Sequence, residues 1–187
     1  GRADTPPSKL FNGARNYKIC ISSSRQLAKK ILNRDIPVLV TSYALNYSPW
    51  APLDLKMAQP INGAWNALSL SYMAEAQCFG GFHYSARAFD SGLFGPSDPF
   101  AIKSRMVPSD IDKGAVNIRP SARVTYFFKK YVAGRDLDNI KLSGNTDRFS
   151  AVSASSGDEV SIVLVNFSES IRSINLSVSP YERTAYS

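Results

Sequence analysis

Two short apolar runs with a helical stretch between them constrain this chain more than anything else in it. The first, Val38-Leu39-Val40-Thr41-Ser42-Tyr43, opens on aliphatic residues and turns polar and aromatic at its end. The second, Cys78-Phe79-Gly80-Gly81-Phe82-His83-Tyr84, is apolar and aromatic almost throughout. A continuous apolar run of this length suits a strand buried on both faces rather than one with a wet side. Between them, residues 63–77 carry Ala64, Trp65, Ala67, Leu68, Leu70 and Met73 and leave little polar face. Such a helix packs between a sheet and another layer. Strand, helix and strand in this order predict a right-handed βαβ unit with parallel strands.

The flanking segments have weaker patterns. Residues 1–24 are rich in Gly, Pro, Asn and charge near their start, and they read as an N-terminal arm or loop with a short strand at 17–21. Ser22-Ser23-Ser24 offers N-cap hydroxyls ahead of a modest amphipathic helix over 25–33, with Leu27, Ile31 and Leu32 on its inner face. The helix ends before Pro37, because the residue preceding a proline disfavours the helical region. Residues 44–62 and 85–119 read as long loops, and irregular stretches of that length on a rigid scaffold commonly carry function. Pro120 then opens the most regular helix, with Val124, Phe127, Phe128 and Tyr131 at i, i+3, i+4, i+7 and Gly134 as its stop. After residue 138 the texture becomes short alternating runs at 149–154, 160–166 and 174–178, separated by Ser155-Ser156-Gly157-Asp158 and Ser168-Glu169-Ser170. That is antiparallel β structure.

Composition excludes some classes and leaves others open. The chain has 22 Lys+Arg against 15 Asp+Glu, a formal charge of +7, yet the basic residues are scattered. A nucleic-acid footprint needs them clustered on one face, so nucleic acid is not the expected partner. Two cysteines, Cys20 and Cys78, fit neither a disulfide scaffold nor a metal motif; each reads as a small buried hydrophobe, with a single bridge between them left open. No metal and no cofactor are expected. No apolar run approaches the ~18 residues of a membrane span. Three N-x-Ser sequons, at Asn46, Asn166 and Asn175, point to a secreted or extracellular protein.

In this order the elements resemble the C-terminal part of a retaining (β/α)-barrel glycoside hydrolase of the xylosidase and iduronidase kind, which carries a β-sandwich after its last barrel helix. That family's seventh strand has the form Pro-x-x-[Val/Ile]-Thr-Glu-[Tyr/Trp], with the Glu as nucleophile. Pro37-Val38-Leu39-Val40-Thr41-Ser42-Tyr43 matches it at every point except the Glu, which is Ser42. Gly81-Phe82-His83-Tyr84-Ser85 is similar to the family's eighth strand, Gly92-Leu93-Phe94 to its loop, the helix from Pro120 to its last helix, and Val163-Leu164-Val165-Asn166-Phe167-Ser168 to its closing strand. The resemblance spans residues 25–180. It implies α/β plus β structure: the last two β/α units of a TIM-type barrel over 25–137, then an antiparallel β-sandwich segment over 138–187.

The resemblance also sets the chemistry and its defect. Retaining hydrolysis uses two carboxyl groups roughly 5–5.5 Å apart. Ser42 stands at the nucleophile position, and the family's acid/base Glu belongs to a fourth strand that has no counterpart here. His83, the one histidine, is placed to hydrogen-bond Ser42 across parallel strand ends, but a pair without an orienting acid is weak support for catalysis. Tyr43, Asn46, Tyr47, Trp50, Tyr84 and Arg87 are the candidate sugar-binding residues, the aromatic rings by stacking and Arg87 by pairing with an anionic sugar. Asp90 and Asp98 are further loop carboxylates. Two strands with their helices cannot close a barrel, so an N-terminal chain or fragment is expected to complete it. The expected function is therefore carbohydrate-active and inactive alone, or alternatively a non-catalytic structural or glycan-binding component of an assembly. An unrelated α+β module that binds an anionic polymer through its charge is the third possibility.

Overall fold

The computed structural model describes residues 5–45, 59–84, 93–95, 117–138, 140–143 and 148–168. The chain begins with a 26-residue helix, α1 (Pro7–Leu32), followed by β1 (Leu39–Tyr43), α2 (Pro60–Glu75) and β2 (Gly80–His83). A two-residue ladder joins β3 (Phe94–Gly95) to β4 (Asn117–Ile118), and α3 (Pro120–Tyr131) leads to β5 (Asp136–Asp138), β6 (Phe149–Ser156) and β7 (Glu159–Asn166). No described helix is long and apolar enough to cross a membrane.

α1 corrects the sequence reading of its segment. Residues 7–24, expected as an arm with a short strand at 17–21, are helical throughout. The helix starts with Pro7 at N1, where a missing N–H costs nothing, and ends on Asn33 in the left-handed region at φ 52°. Ser22, Ser23 and Ser24 therefore lie inside a helix and cap nothing. Its buried residues are Leu10, Phe11, Ala14 and Ile21. Leu27, Ile31 and Leu32, expected to face the core, are exposed.

β1 and β2 pair in parallel, Leu39 opposite Gly80, Val40 opposite Gly81 and Tyr43 opposite His83, with an irregularity between Val40 and Tyr43. The backbone confirms the pairing: the Phe79 N–H donates to the Val38 carbonyl at 2.9 Å and the Tyr84 N–H to the Tyr43 carbonyl at 2.8 Å. The expectation that both strands are covered on both faces fails. Leu39 is 44% and Phe82 60% exposed, and Thr41 and Ser42 are exposed as well. Among the described residues this sheet has two strands and does not close.

α2 is the centre of the molecule. It packs against α1, α3, β2, β6 and β7. Trp65, Ala67, Leu68 and Met73 are buried on it, and so are Asn62, Asn66, Ser69 and Ser71. Trp65 donates its Nε1–H to the Leu10 carbonyl at 3.1 Å, which ties α2 to α1. Asn66 donates through Nδ2 to the Ser121 carbonyl at 2.8 Å and to Thr125 Oγ1 at 3.0 Å, which ties α2 to α3. Gly63 makes that second junction possible, since a Cβ there would stand 2.9 Å from the Pro120 side chain and 3.4 Å from its backbone.

The antiparallel sheet has the order β5-β6-β7. β6 and β7 pair along their full length from Phe149 opposite Asn166 to Ser156 opposite Glu159. The two-residue turn between them has Gly157 at φ 60°, the position that a II′ hairpin reserves for glycine. β5 lies on the expected boundary at 137/138, and its pairing puts the sheet's first residue at Asp136. Val152, Ala154 and Val165 of this sheet share one apolar cluster with Leu10, Tyr43, Trp65 and Leu68. The strand expected at 174–178 lies outside the described residues.

Candidate functional site

The C-terminal ends of β1 and β2 gather the residues singled out from the sequence. Tyr43 and His83 are register partners, so their side chains share a face, and their rings meet edge to face at 5.2 Å. That face is the inner one: Tyr43 is buried, and its ring also meets Tyr17 of α1 at 6.2 Å in a T-shaped contact. Burial pushes the Tyr43 hydroxyl up to about 12, against the opposing effect of a hydrogen bond with Thr125. A tyrosine held this way is a core residue, not an exposed sugar-stacking ring.

Ser42 sits in the irregular stretch of β1 and is exposed. The residue that the register brings opposite His83 is Tyr43 rather than Ser42. Tyr84 follows His83 and is exposed. Asn46, Tyr47, Trp50 and Arg87, together with Asp90 and Asp98, lie outside the described residues.

Four carboxylates within the described residues are engaged by side chains other than Ser42 and His83. Asp35 pairs with Arg25, and that hydrogen bond holds the carboxyl below its ordinary range. Glu75 pairs with Lys18 at 2.6 Å and Glu159 with Arg135 at 3.1 Å. Asp138 accepts hydrogen bonds from Ser153 at 3.1 Å and Ser155 at 2.8 Å. No group of three His, Cys, Asp or Glu among the described residues is arranged to hold a metal ion. Cys20 and Cys78 are both free thiols; Cys20 is exposed, not buried, and the Cys78 thiol donates to the Val38 and Gly80 carbonyls at 3.3 and 3.2 Å.

Beside Ser42 the structure opens a feature the sequence reading missed. A groove of about 600 Å³ lies between α1 and β1, lined by Lys9, Gly13 and Asn16 of α1, Leu39 and Ser42 of β1 and Trp65 of α2. Its signal lay in the sequence as the helical spacing of Leu10, Ala14, Tyr17 and Ile21, at i, i+4, i+7 and i+11. That periodicity orients α1 so that Lys9, Gly13 and Asn16 turn toward β1.

The sequon at Asn166 lies at the exposed end of β7, where its Oδ1 accepts from the Ser168 N–H at 2.9 Å and from the Ser168 hydroxyl at 2.7 Å. Phe167, between them, turns inward and meets Phe11 at 5.2 Å. Comparison of the chain with protein-family models, with curated proteins and with solved structures finds no match.

Proposed function

We propose that the chain is the β/α and β-sheet portion of a carbohydrate-active (β/α) barrel, inactive by itself and completed by a second polypeptide. The observation that carries the reading is the β1–α2–β2 unit. It is a parallel pair joined through a buried crossover helix, with Ser42, Tyr43 and His83 at one end and no third strand among the described residues. Parallel sheets occur almost only with both faces covered and in larger sets of strands, so this pair calls for a complement. Ser42 then occupies the position at which a retaining glycosidase holds its nucleophile. A neutral hydroxyl cannot balance an oxocarbenium-like transition state as a carboxylate does, and the second carboxyl must come from elsewhere. Tyr84 supplies an exposed ring at the mouth of the site, on which the C–H face of a sugar stacks.

One set of contacts favours the non-catalytic form of this reading, a structural or glycan-binding component. Asp35, Glu75, Asp138 and Glu159 are committed to Arg25, Lys18, two serines and Arg135, none to Ser42. The test is an NMR titration of the isotope-labelled chain with neutral xylo-oligosaccharides and with uronic-acid oligosaccharides. Saturable shifts centred on Ser42 and Tyr84, weakened about tenfold by Tyr84→Ala, are expected; loss of one stacking ring of roughly 1.4 kcal/mol corresponds to that factor. Absence of any saturable response to either class sinks the glycan reading.

A further inference from the structure

We infer that the outer edge of β1 and the groove beside α1 form a binding site for an extended peptide segment of a partner polypeptide, which joins the sheet as a third strand. The Val38 and Tyr43 carbonyls are spent on β2. Strand alternation turns the backbone groups of Leu39 to the opposite edge, where no described strand pairs with them. An open row of amides is completed by another strand and by little else, which is the basis of recognition by strand addition. The exposed Leu39 side chain flanks that edge and gains cover from an added strand.

The groove has the dimensions for this occupant. Along α1 its lining runs from Lys9 to Cys20, a helical span of roughly 16 Å at ~1.5 Å per residue. A strand of about five residues, at ~3.3 Å each, covers the same distance. At Gly13 the α1 wall of the groove is open. This residue sits in the interior of α1, where glycine is a poor helix former, and a Cβ built there meets nothing within 4 Å. The charge of the lining fixes one further property. Lys9 is its cation, and no carboxylate lines it, so the segment that fits alternates apolar residues with polar ones and carries an acidic side chain toward Lys9.

This inference rests on the proposed completion of the sheet by a second polypeptide and is independent of sugar binding. Its test is an NMR titration of the full isotope-labelled chain with a capped synthetic heptapeptide that alternates valine with aspartate, threonine and asparagine. Saturable shifts are expected at the amides of Leu39, Thr41 and Ser42 and at Lys9, Gly13 and Asn16. A peptide with every second amide N-methylated, which removes one hydrogen-bonding edge, should bind about tenfold more weakly or not at all. Gly13→Leu should keep or raise the melting temperature, because the added side chain meets open space, and yet abolish the peptide shifts. Lys9→Glu should weaken the aspartate peptide and spare its asparagine analogue. Equal binding of the N-methylated peptide, undiminished binding by Gly13→Leu, or shifts that avoid β1 would overturn the inference. So would protection of residues 39–42 that grows with protein concentration alone, since a second copy would then own the edge. Peptide binding without any response to sugar would remove the glycan reading and leave the strand site standing; sugar binding without peptide binding would do the reverse.

Discussion

The two main sheets solve the same problem in opposite ways. In β5-β6-β7 the central strand is paired on both edges, its middle residues from Ser150 to Ala154 are buried, and a two-residue turn supplies its neighbour from local sequence. In β1-β2 each strand is paired on one edge, the partner lies a helix away in sequence, and Leu39, Phe79 and Phe82 remain exposed. An antiparallel sheet with one covered face is complete by design, while a parallel pair is a fragment of a larger surface. Among the described residues the molecule thus contains one sheet built from neighbouring sequence and one built across a helix, and α2 packs against both.

The largest effect should come from the element the two regions share. Trp65 is buried, bonds the Leu10 carbonyl and meets Tyr17 edge-on at 6.2 Å. Trp65→Ala should cost about 3–5 kcal/mol, the usual range for removing a buried Trp or Phe. Chemical denaturation followed by circular dichroism and by hydrogen exchange in β6 should show both regions lost in one transition. Survival of the antiparallel sheet after β1-β2 has melted would break the coupling assigned to α2.

A smaller effect should separate the sheets by pH. Tyr43 ties the parallel pair into the core, and burial raises its hydroxyl to about 12 from an ordinary value near 10. The folded state therefore keeps its proton where the unfolded chain has lost it. Stability from this group is full below about pH 10 and falls as pH rises toward 12, by roughly 2–3 kcal/mol for two pKa units. Tyr43→Phe should flatten that alkaline slope relative to the parent chain. An unchanged slope would place the hydroxyl in water and open the inner face of β1 as well as the outer.

The contrast in legibility follows the same division. The antiparallel strands were readable because alternation and a Gly157 turn are local signals, and β1, α2 and β2 because their apolar runs are long. The first 24 residues were not. Asn12, Gly13, Asn16 and three consecutive serines are poor helix formers, and they masked the spacing of Leu10, Ala14, Tyr17 and Ile21 that packing against α2 rewards. Tertiary contact overrode propensity there. The β1 strand was misjudged in the other sense. Its apolar composition predicts cover on both faces, yet Leu39, Thr41 and Ser42 are exposed. Of the site, the two strand ends were located, but not the irregularity of β1, which no sequence pattern announces and which sets Tyr43 opposite His83.

A matched pair of truncations sharpens the comparison at about 2 kcal/mol. Val152 is buried at the centre of the closed sheet and Phe82 is exposed at the open one. Val152→Ala should lose about 2 kcal/mol, in line with the worth of a fully buried valine, whereas Phe82→Ala should stay within ~0.5 kcal/mol despite deleting a larger side chain. Urea midpoints of the two variants decide it. A loss for Phe82→Ala equal to that for Val152→Ala would mean that the parallel pair is already covered in solution.

The smallest effect is expected at the residue of greatest chemical interest. Ser42 precedes buried Tyr43 yet is itself exposed, so a longer charged side chain there has room and water. Ser42→Glu should therefore shift stability by no more than ~0.5 kcal/mol, and a chain of formal charge +7 has no electrostatic objection to one more carboxylate. On the function proposed above, the substitution supplies the residue type of a retaining glycosidase's nucleophile, but one carboxyl is half of the required pair. The variant alone should leave an aryl glycoside intact, and measurable hydrolysis should appear only with a partner that brings the acid. A destabilisation above about 1 kcal/mol would show that Ser42 is packed, because an exposed site does not resist a glutamate to that degree. Hydrolysis by the variant alone would place a second carboxyl of this same chain within reach of the strand end, and the sheet that looks open would then be half of a working site.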